Sequence, residues 1–149
     1  MEYPKRKKNR LENFSYSSEN GYFLTLCTAK RKQMFWNEDG LSGLGLYLES
    51  CLLKIPEVYP NAVLDKYSIM PDHVHLILIL QGEDCGCADV SQIIGQLKRL
   101  VSKRAGASIW QKSYYDHVIR NESDYREIWK YIEGNPSTWR EKHKNQCLL

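Results

Sequence analysis

The order of apolar and polar residues along the chain predicts four strands. Residues 21–28 follow a turn-like Ser/Asn/Gly stretch and are rich in aromatic and β-branched side chains, which favour a strand. Residues 62–70 and the apolar run 73–80 form two strand-like segments joined by a tight connector at residues 70–72, and this pattern predicts an antiparallel hairpin. Residues 109–119 form a fourth extended segment.

Apolar residues at helical spacing predict three helices. The first covers residues 41–58 and stops before Pro60. The second covers residues 90–104, and its apolar stripe consists of Val90, Ile93, Ile94, Leu97 and Val101. The third starts at the N-capping residues 121–124 and ends near residues 135–136, and its apolar stripe consists of Tyr125, Ile128, Trp129 and Ile132.

These elements follow one another as strand, helix, strand, strand, helix, strand and a final helix. The order predicts an α+β fold, a ferredoxin-like split βαβ antiparallel sheet with an added C-terminal helix that carries Tyr131. Two helices would cover one face of the sheet, which leaves the other face for a ligand or for the third helix. We expect residues 1–149 to form a single domain, with a basic, partly flexible arm at 1–20 and a short tail at 136–149.

Composition is typical of a globular protein, with 42% hydrophobic and 26% charged residues in 149. The chain has no apolar run approaching the length of a membrane span, and its polar N-terminus does not resemble a signal peptide. We therefore expect a cytoplasmic protein without a membrane partner. Cys85 and Cys87 are too close together for the usual zinc-knuckle spacing, so the five cysteines are interpreted as reduced thiols of undefined role.

Positive charge is concentrated in two places, although the net charge is only +3. The first cluster is in the N-terminal arm and the second is in the second predicted helix: Lys5, Arg6, Lys7 and Lys8, then Lys98, Arg99 and Lys103. Each cluster could be a solvated surface or a site that follows nucleic-acid phosphates.

His73 and His75 are the first candidates for chemistry. Side chains alternate between the faces of a strand, so both imidazoles point to the same side while Val74 points to the other. Two neutral imidazoles side by side are suited to bind a divalent cation. The alternative is that one histidine caps the strand and the other packs in a half-polar cleft.

Tyr131 and Asn135 form the second candidate pair. Tyr131 is at the margin of the apolar stripe of the third helix, and Asn135 follows four residues later on the same face. The two side chains could face a common cleft. Alternatively, Tyr131 is an amphipathic edge residue and Asn135 is the helix C-cap before Pro136.

Four segments of the chain, taken in order, resemble the REP-associated tyrosine transposases, which are single-tyrosine relatives within the HUH endonuclease superfamily. The matching segments are residues 22–28, 70–76, 109–120 and 131–136. The family more often has Asn where this chain has Asp72.

The resemblance implies an enzyme that nicks and joins single-stranded DNA at hairpin-forming repeats. By motif, His73 and His75 would bind a divalent metal, Tyr131 would be the nucleophile, and Asn135 would be the third ligand. Two imidazoles and an amide oxygen leave coordination positions open, which suits Mg²⁺ or Mn²⁺ better than a closed structural zinc site. Attack by the tyrosine would give a 5′-phosphotyrosine intermediate, so that strand transfer needs no ATP.

The sequence leaves alternative roles open for several residues. The two basic clusters and Trp110, as an exposed aromatic, could bind phosphates and stack on bases. His117 could transfer a proton, bind a phosphate or be purely structural. Other tyrosines close in sequence could compete with Tyr131 as nucleophile: Tyr114, Tyr115 and Tyr125.

Alternatives to the transposase are a domesticated, catalytically silent protein that binds DNA hairpins and, less favoured, a metal-dependent hydrolase that does not use the tyrosine. We expect a monomer, with a homodimer as the alternative.

Overall fold

A computed structural model describes residues 20–81 and 88–147 of this protein, with the backbone only for residues 20 and 137–147. The predicted basic arm with Lys5, Arg6, Lys7 and Lys8 lies outside the described residues, as do Cys85 and Cys87. The elements are β1 Asn20–Cys27, a 3₁₀ helix at Ala29–Arg31, β2 Trp36–Asn37, β3 Gly40–Leu41, α1 Gly43–Val58, β4 Ala62–Met70, β5 His73–Leu80, α2 Val90–Ala105, β6 Tyr115–Val118 and α3 Glu122–Cys147. Among the described residues, no helix is both long and apolar enough to cross a membrane.

The main sheet has the strand order β4-β5-β1-β6, and every neighbouring pair is antiparallel. With α1 between β1 and β4 and α2 between β5 and β6, this is the ferredoxin-like arrangement that the sequence predicts. The small β2–β3 hairpin is an addition that the sequence pattern did not indicate, because strands of two residues are too short to show alternation.

Alternate residues of the two central strands belong to two different cores. Leu24 of β1 and Leu76 of β5 pack with α1 and α2. Phe23 and Ile77, one position away on each strand, pack with Ile132 and its neighbours on α3. The third helix therefore covers the face of the sheet that α1 and α2 leave open. The odd-numbered residues of β5 face this helix.

Local sequence signals explain the ends of α1 and α2. Ser42 caps α1 by accepting a hydrogen bond from the Gly45 backbone N–H. Asp89 and Gln92 form a capping box at the start of α2, and Gly106 ends that helix in the left-handed conformation with φ of 85°.

Two predicted boundaries were wrong. The fourth strand is limited to Tyr115–Val118, and Trp110 instead makes an isolated bridge with Thr28. Helix α3 does not end at residues 135–136 but continues through Pro136 to Cys147, so Asn135 is not its C-cap and the predicted tail is largely helical. A proline removes one helical hydrogen bond, and the 13 residues after Pro136 contain no further Pro or Gly that would end the helix.

Candidate active site

The first two residues of the site are held at the start of β5. His73 and His75 are 7% and 4% exposed, and their ring centroids are 4.7 Å apart with the rings inclined at 75°. The turn before them is fixed from outside the hairpin, since the backbone N–H of Thr28 donates to the Asp72 carbonyl, and those of Met34 and Phe35 donate to the Pro71 carbonyl. The two imidazoles are thus presented side by side by a restrained turn and a central strand.

The nitrogens of His75 differ in their surroundings. Nδ1 is 2.9 Å from the hydroxyl of Thr25, its cross-strand neighbour on β1. Nε2 is buried and has no hydrogen-bond partner among the described residues. Burial, with a smaller contribution from the charges of His73 and Arg31, lowers the pKa of His75 to about 3. His75 is therefore neutral at physiological pH and keeps one ring nitrogen with a lone pair.

His73 has a charged neighbour where His75 has a hydroxyl. Its Nδ1 is 2.6 Å from Oδ1 of Asp72, and Asp72 also accepts two hydrogen bonds from Arg31. Burial lowers the pKa of His73, and the hydrogen bond to Asp72 opposes this effect. Burial alone would raise the pKa of Asp72, but the hydrogen bonds from Arg31 and His73 lower it below its ordinary value. A neutral imidazole consequently lies beside an ionised carboxylate.

Tyr131 is brought to the histidines by α3. Its ring centroid is 5.3 Å from that of His75 and 6.3 Å from that of Phe23, in both cases nearly edge to face. Tyr131 is also 55% exposed, so the phenol is next to the imidazole pair and accessible from solvent.

Polar contacts at the edge strand β4 dock α3 in this position. The Tyr125 hydroxyl donates to Oδ2 of Asp65 at 2.5 Å. Lys66 pairs with Glu133, and its ammonium group is 3.9 Å from the ring centroid of Trp129. These contacts flank Tyr131 in sequence on both sides, so they fix the height and rotation of the helix above β5.

Asn135 lies one turn beyond Tyr131 and is half-buried. Its Nδ2 is buried without a hydrogen-bond partner among the described residues, and rotating the amide would present the oxygen in the same place. Within the described part of the chain, no group of three or more His, Cys, Asp or Glu side chains could hold a metal ion. A third side-chain ligand beside the two imidazoles would therefore come from another residue type, and the buried, unpaired amide of Asn135 is of a suitable chemical kind.

The other tyrosines are placed differently. Tyr125 is 2% exposed and belongs to the core beneath α3, as the sequence predicts. Tyr114 faces α2, where the Lys98 ammonium group is 5.7 Å from its ring centroid. Tyr115 is 57% exposed, pairs with Thr25 across the strands and is 6.1 Å from the ring of Phe23. Tyr115 is thus on the same face as Tyr131.

The structure corrects one predicted DNA contact and restricts another. Trp110 is 8% exposed and packs 5.5 Å from the ring of Phe35, because its bridge to Thr28 turns it into the core under α1 and α2. The expectation of an exposed tryptophan for base stacking was wrong. Lys98 is partly buried, and its ammonium group donates to the carbonyl of Gln111 at 2.9 Å. Lys98 therefore holds the segment before β6 in place.

The remaining two predicted helix-two contacts are on the surface. Arg99 is exposed and donates to the side chain of Gln96, while Lys103 is exposed near the end of α2. Both stay predictions for phosphate binding.

His117 joins two elements. Its Nε2 is 2.9 Å from Oδ2 of Asp124, and the same oxygen accepts the backbone N–H of Arg120. The histidine thereby ties β6 to the first turn of α3, which favours the structural alternative.

Sequence reasoning missed Thr25, Arg31 and Phe23 as neighbours of the histidines. Thr25 and Phe23 could be found only once β1 is known to pair with β5. Arg31 ends the short 3₁₀ helix Ala29–Arg31, which is too short for a periodic pattern, and its backbone φ of 55° has no sequence signal in a non-glycine residue.

A comparison with models of known protein families gives no match. An uncharacterized protein of Haemophilus influenzae is 31% identical over an alignment 163 positions long, which covers 90% of this chain and 89% of that protein. The REP-associated tyrosine transposase of Escherichia coli K12 is 31% identical over 91 residues, which cover 60% of this chain and 52% of that protein. This chain thus matches about half the length of that transposase.

Among solved structures, a REP-associated tyrosine transposase bound to a REP hairpin superposes with a TM-score of 0.67 at 23% identity. The match covers 91% of this chain and 73% of that chain. At this level of identity the two chains share a fold.

Proposed function

Since this chain is a homologue of the REP-associated tyrosine transposases, we propose that it nicks and rejoins single-stranded DNA next to hairpin-forming repeats. The observation that carries the proposal is the contact between Tyr131 and His75, whose ring centroids are 5.3 Å apart within one chain. An exposed phenol beside two buried, neutral imidazoles combines a nucleophile with metal ligands.

In this proposal His73, His75 and Asn135 hold a divalent metal, Mg²⁺ or Mn²⁺. When bound there, such an ion would withdraw charge from a DNA phosphate and orient it. Imidazole ligands favour Mn²⁺, whereas the amide oxygen is compatible with either ion.

Tyr131 supplies the covalent step. Its oxygen attacks the phosphorus, a bond forms between the tyrosine oxygen and phosphorus, and the bond from phosphorus to the 3′ oxygen breaks. The phenol gives up its proton and the leaving 3′ oxygen gains one, so no net proton is consumed. The products are a 5′-phosphotyrosine and a free 3′-hydroxyl, and attack by a 3′-hydroxyl reverses the reaction. Because one phosphodiester replaces another, no ATP is required.

All four proposed site residues are in one chain, and Tyr131 reaches the histidines of its own sheet. A monomer would therefore hold a complete site. A homodimer stays the alternative.

The proposal is tested with single-stranded DNA hairpins that carry a single-stranded flank, incubated with the protein and Mn²⁺ and run on a denaturing gel. We expect the wild type to shift strands labelled at the 3′ end but not at the 5′ end, because the protein stays on the 5′ phosphate. Tyr131→Phe should lose the adduct. Tyr115→Phe is the matched control, since it removes an exposed hydroxyl on the same face, and it should keep the adduct.

The other possible results would indicate a different nucleophile or a different function. An adduct that survives Tyr131→Phe and disappears in Tyr115→Phe moves the nucleophile to β6. Cleavage without an adduct indicates a hydrolase. Hairpin binding without cleavage by the wild type indicates a silent binding protein.

A further inference from the structure

Arg31, Asp72 and His73 form a continuous chain of contacts at the edge of the site. Arg31 donates from Nε to Oδ2 and from Nη2 to Oδ1 of Asp72, each at 3.2 Å. Oδ1 of Asp72 is in turn 2.6 Å from Nδ1 of His73. Asp72 and His73 are buried, whereas the Arg31 side chain is 51% exposed.

The chemistry of these groups determines where the imidazole proton is. A carboxylate paired with a guanidinium only accepts hydrogen bonds, so the short contact to Asp72 requires a proton on Nδ1 of His73. Nη2 of Arg31 is 3.3 Å from the same nitrogen. A guanidinium cannot accept a hydrogen bond, and a protonated Nδ1 has no lone pair with which to accept one from Arg31. The 3.3 Å distance therefore arises because both groups bind Asp72, and it is not a separate hydrogen bond. The lone pair of His73 is therefore on Nε2.

The backbone that delivers Arg31 is in an unfavourable conformation. Lys30 and Arg31 have φ angles of 58° and 55°, in the left-handed region that side chains rarely adopt. The loop is held there by surrounding bonds, since the Ala29 N–H donates to the Ile109 carbonyl and the Thr28 hydroxyl donates to the Lys32 carbonyl. Strained backbone of this kind persists where the surrounding structure fixes it, and it is concentrated at functional sites.

The two histidines thus differ in the group that contacts Nδ1. His75 has a neutral hydroxyl at Nδ1, from Thr25, whereas His73 has a carboxylate that is clamped by an arginine. A carboxylate on the far nitrogen of a metal-binding imidazole fixes the tautomer and makes the other nitrogen a better ligand.

We propose that Asp72 and Arg31 are positioning residues that hold His73 with Nε2 directed to a divalent metal. The inference rests on the proposed metal site and extends it to two residues that are not among its proposed ligands. It also gives a role to Asp72, the position at which this chain departs from the more frequent Asn.

The first measurement is Mn²⁺ binding to the full chain, followed by the loss of the free-ion electron paramagnetic resonance signal. We expect Asp72→Asn, which keeps the size of the side chain but removes its charge, to bind Mn²⁺ roughly 10- to 100-fold more weakly. Arg31→Gln should weaken binding less, and Arg31→Lys should restore part of the loss because it keeps the positive charge. Thr25→Val, the matched control at the other histidine, should have a smaller effect than Asp72→Asn.

The second measurement needs no metal. Long-range ¹H–¹⁵N spectra of the metal-free protein should show His73 with its proton on Nδ1 in the wild type. In Asp72→Ala the population should shift towards the tautomer protonated on Nε2. If Asp72→Ala does not fold, Asp72→Asn, which keeps the size of the side chain, remains the test through its Mn²⁺ affinity.

The outcomes separate this inference from the proposed function. Wild-type protein that does not bind Mn²⁺ overturns both. Wild-type binding together with an unchanged affinity in Asp72→Asn, or an unchanged His73 tautomer in a folded Asp72→Ala variant, overturns the positioning role alone.

Discussion

Protonation of His75 should destabilise the metal-free protein in mild acid. The imidazole is 4% exposed, and burial lowers its pKa from 6.5 to about 3. In the unfolded chain it regains the ordinary pKa. Between these two values the unfolded chain binds a proton that the folded protein does not bind, so the free energy of unfolding falls as the pH falls.

The size of the effect follows from the two pKa values. The slope approaches about 1.4 kcal/mol per pH unit between pH 6 and pH 4. At pH 5 the unfolded chain is mostly protonated at this residue and the folded protein is not, which costs about 2 kcal/mol relative to pH 8. This figure depends on the unfolded value and hardly changes if the folded pKa is one unit higher, since His75 would still be neutral at pH 5.

The assay is urea unfolding followed by tryptophan fluorescence at pH 8, 6 and 5 in the presence of a chelator. His75→Gln is the control, because it keeps a polar side chain but has no proton to bind. The difference in the free energy of unfolding between wild type and variant isolates His75 from His73, whose pKa is also lowered by burial. We expect this difference to shrink by about 2 kcal/mol from pH 8 to pH 5.

A difference that stays constant over this range would refute the reasoning. It would mean that His75 takes up a proton in the folded state, and therefore that it is not the buried, neutral imidazole required of a metal ligand.

Two further predictions concern packing around the site. Tyr125→Phe should lower the free energy of unfolding by about 1.5–3 kcal/mol, because the hydroxyl donates to the Asp65 carboxylate and the phenyl ring still fills the core; a change under 0.5 kcal/mol in urea unfolding would show that this bond does not dock α3. Gly45→Ala should destabilise by about 1–3 kcal/mol, since its methyl group would be 2.2 Å from the Phe35 carbonyl oxygen. Gly95→Ala is the matched helix control, because the space around Gly95 is open, and it should stabilise the protein by about 0.5–1 kcal/mol in thermal or urea unfolding. Equal effects of the two substitutions would contradict the close approach at Gly45.

The hairpin that carries the histidines was predictable residue by residue. Its strands have the bounds 62–70 and 73–80 in both sequence and structure, because an apolar run ends where the polar connector begins. The second helix was equally clear from its apolar stripe, and the structure adds the Asp89 cap at its start. Alternation along β5 also placed His73 and His75 on one face.

Two of the three parts that failed depend on long-range contacts, and the third, the end of α3, depends on how strongly a proline stops a helix. Trp110 has the same local pattern as an exposed strand residue, but one bridge to Thr28 buries it. The end of α3 was placed at Pro136 from a local rule, although one missing hydrogen bond does not end a helix whose next residues favour it. Arg31 reaches Asp72 only through a left-handed loop that other segments hold in place.

By itself, the sequence determined which face of which strand carries the histidines and which turn of which helix carries Tyr131 and Asn135. Those properties depend on the periodicity of neighbouring residues, so the local sequence determines them. Only the tertiary structure decided which residues of β1 lie opposite the histidines, that Thr25 and Asp72 contact the two imidazoles, and that α3 lies across them with Tyr131 5.3 Å from the His75 ring. The physical reason is that periodicity fixes the direction of a side chain, whereas its partner is chosen by the packing of segments that are distant in sequence.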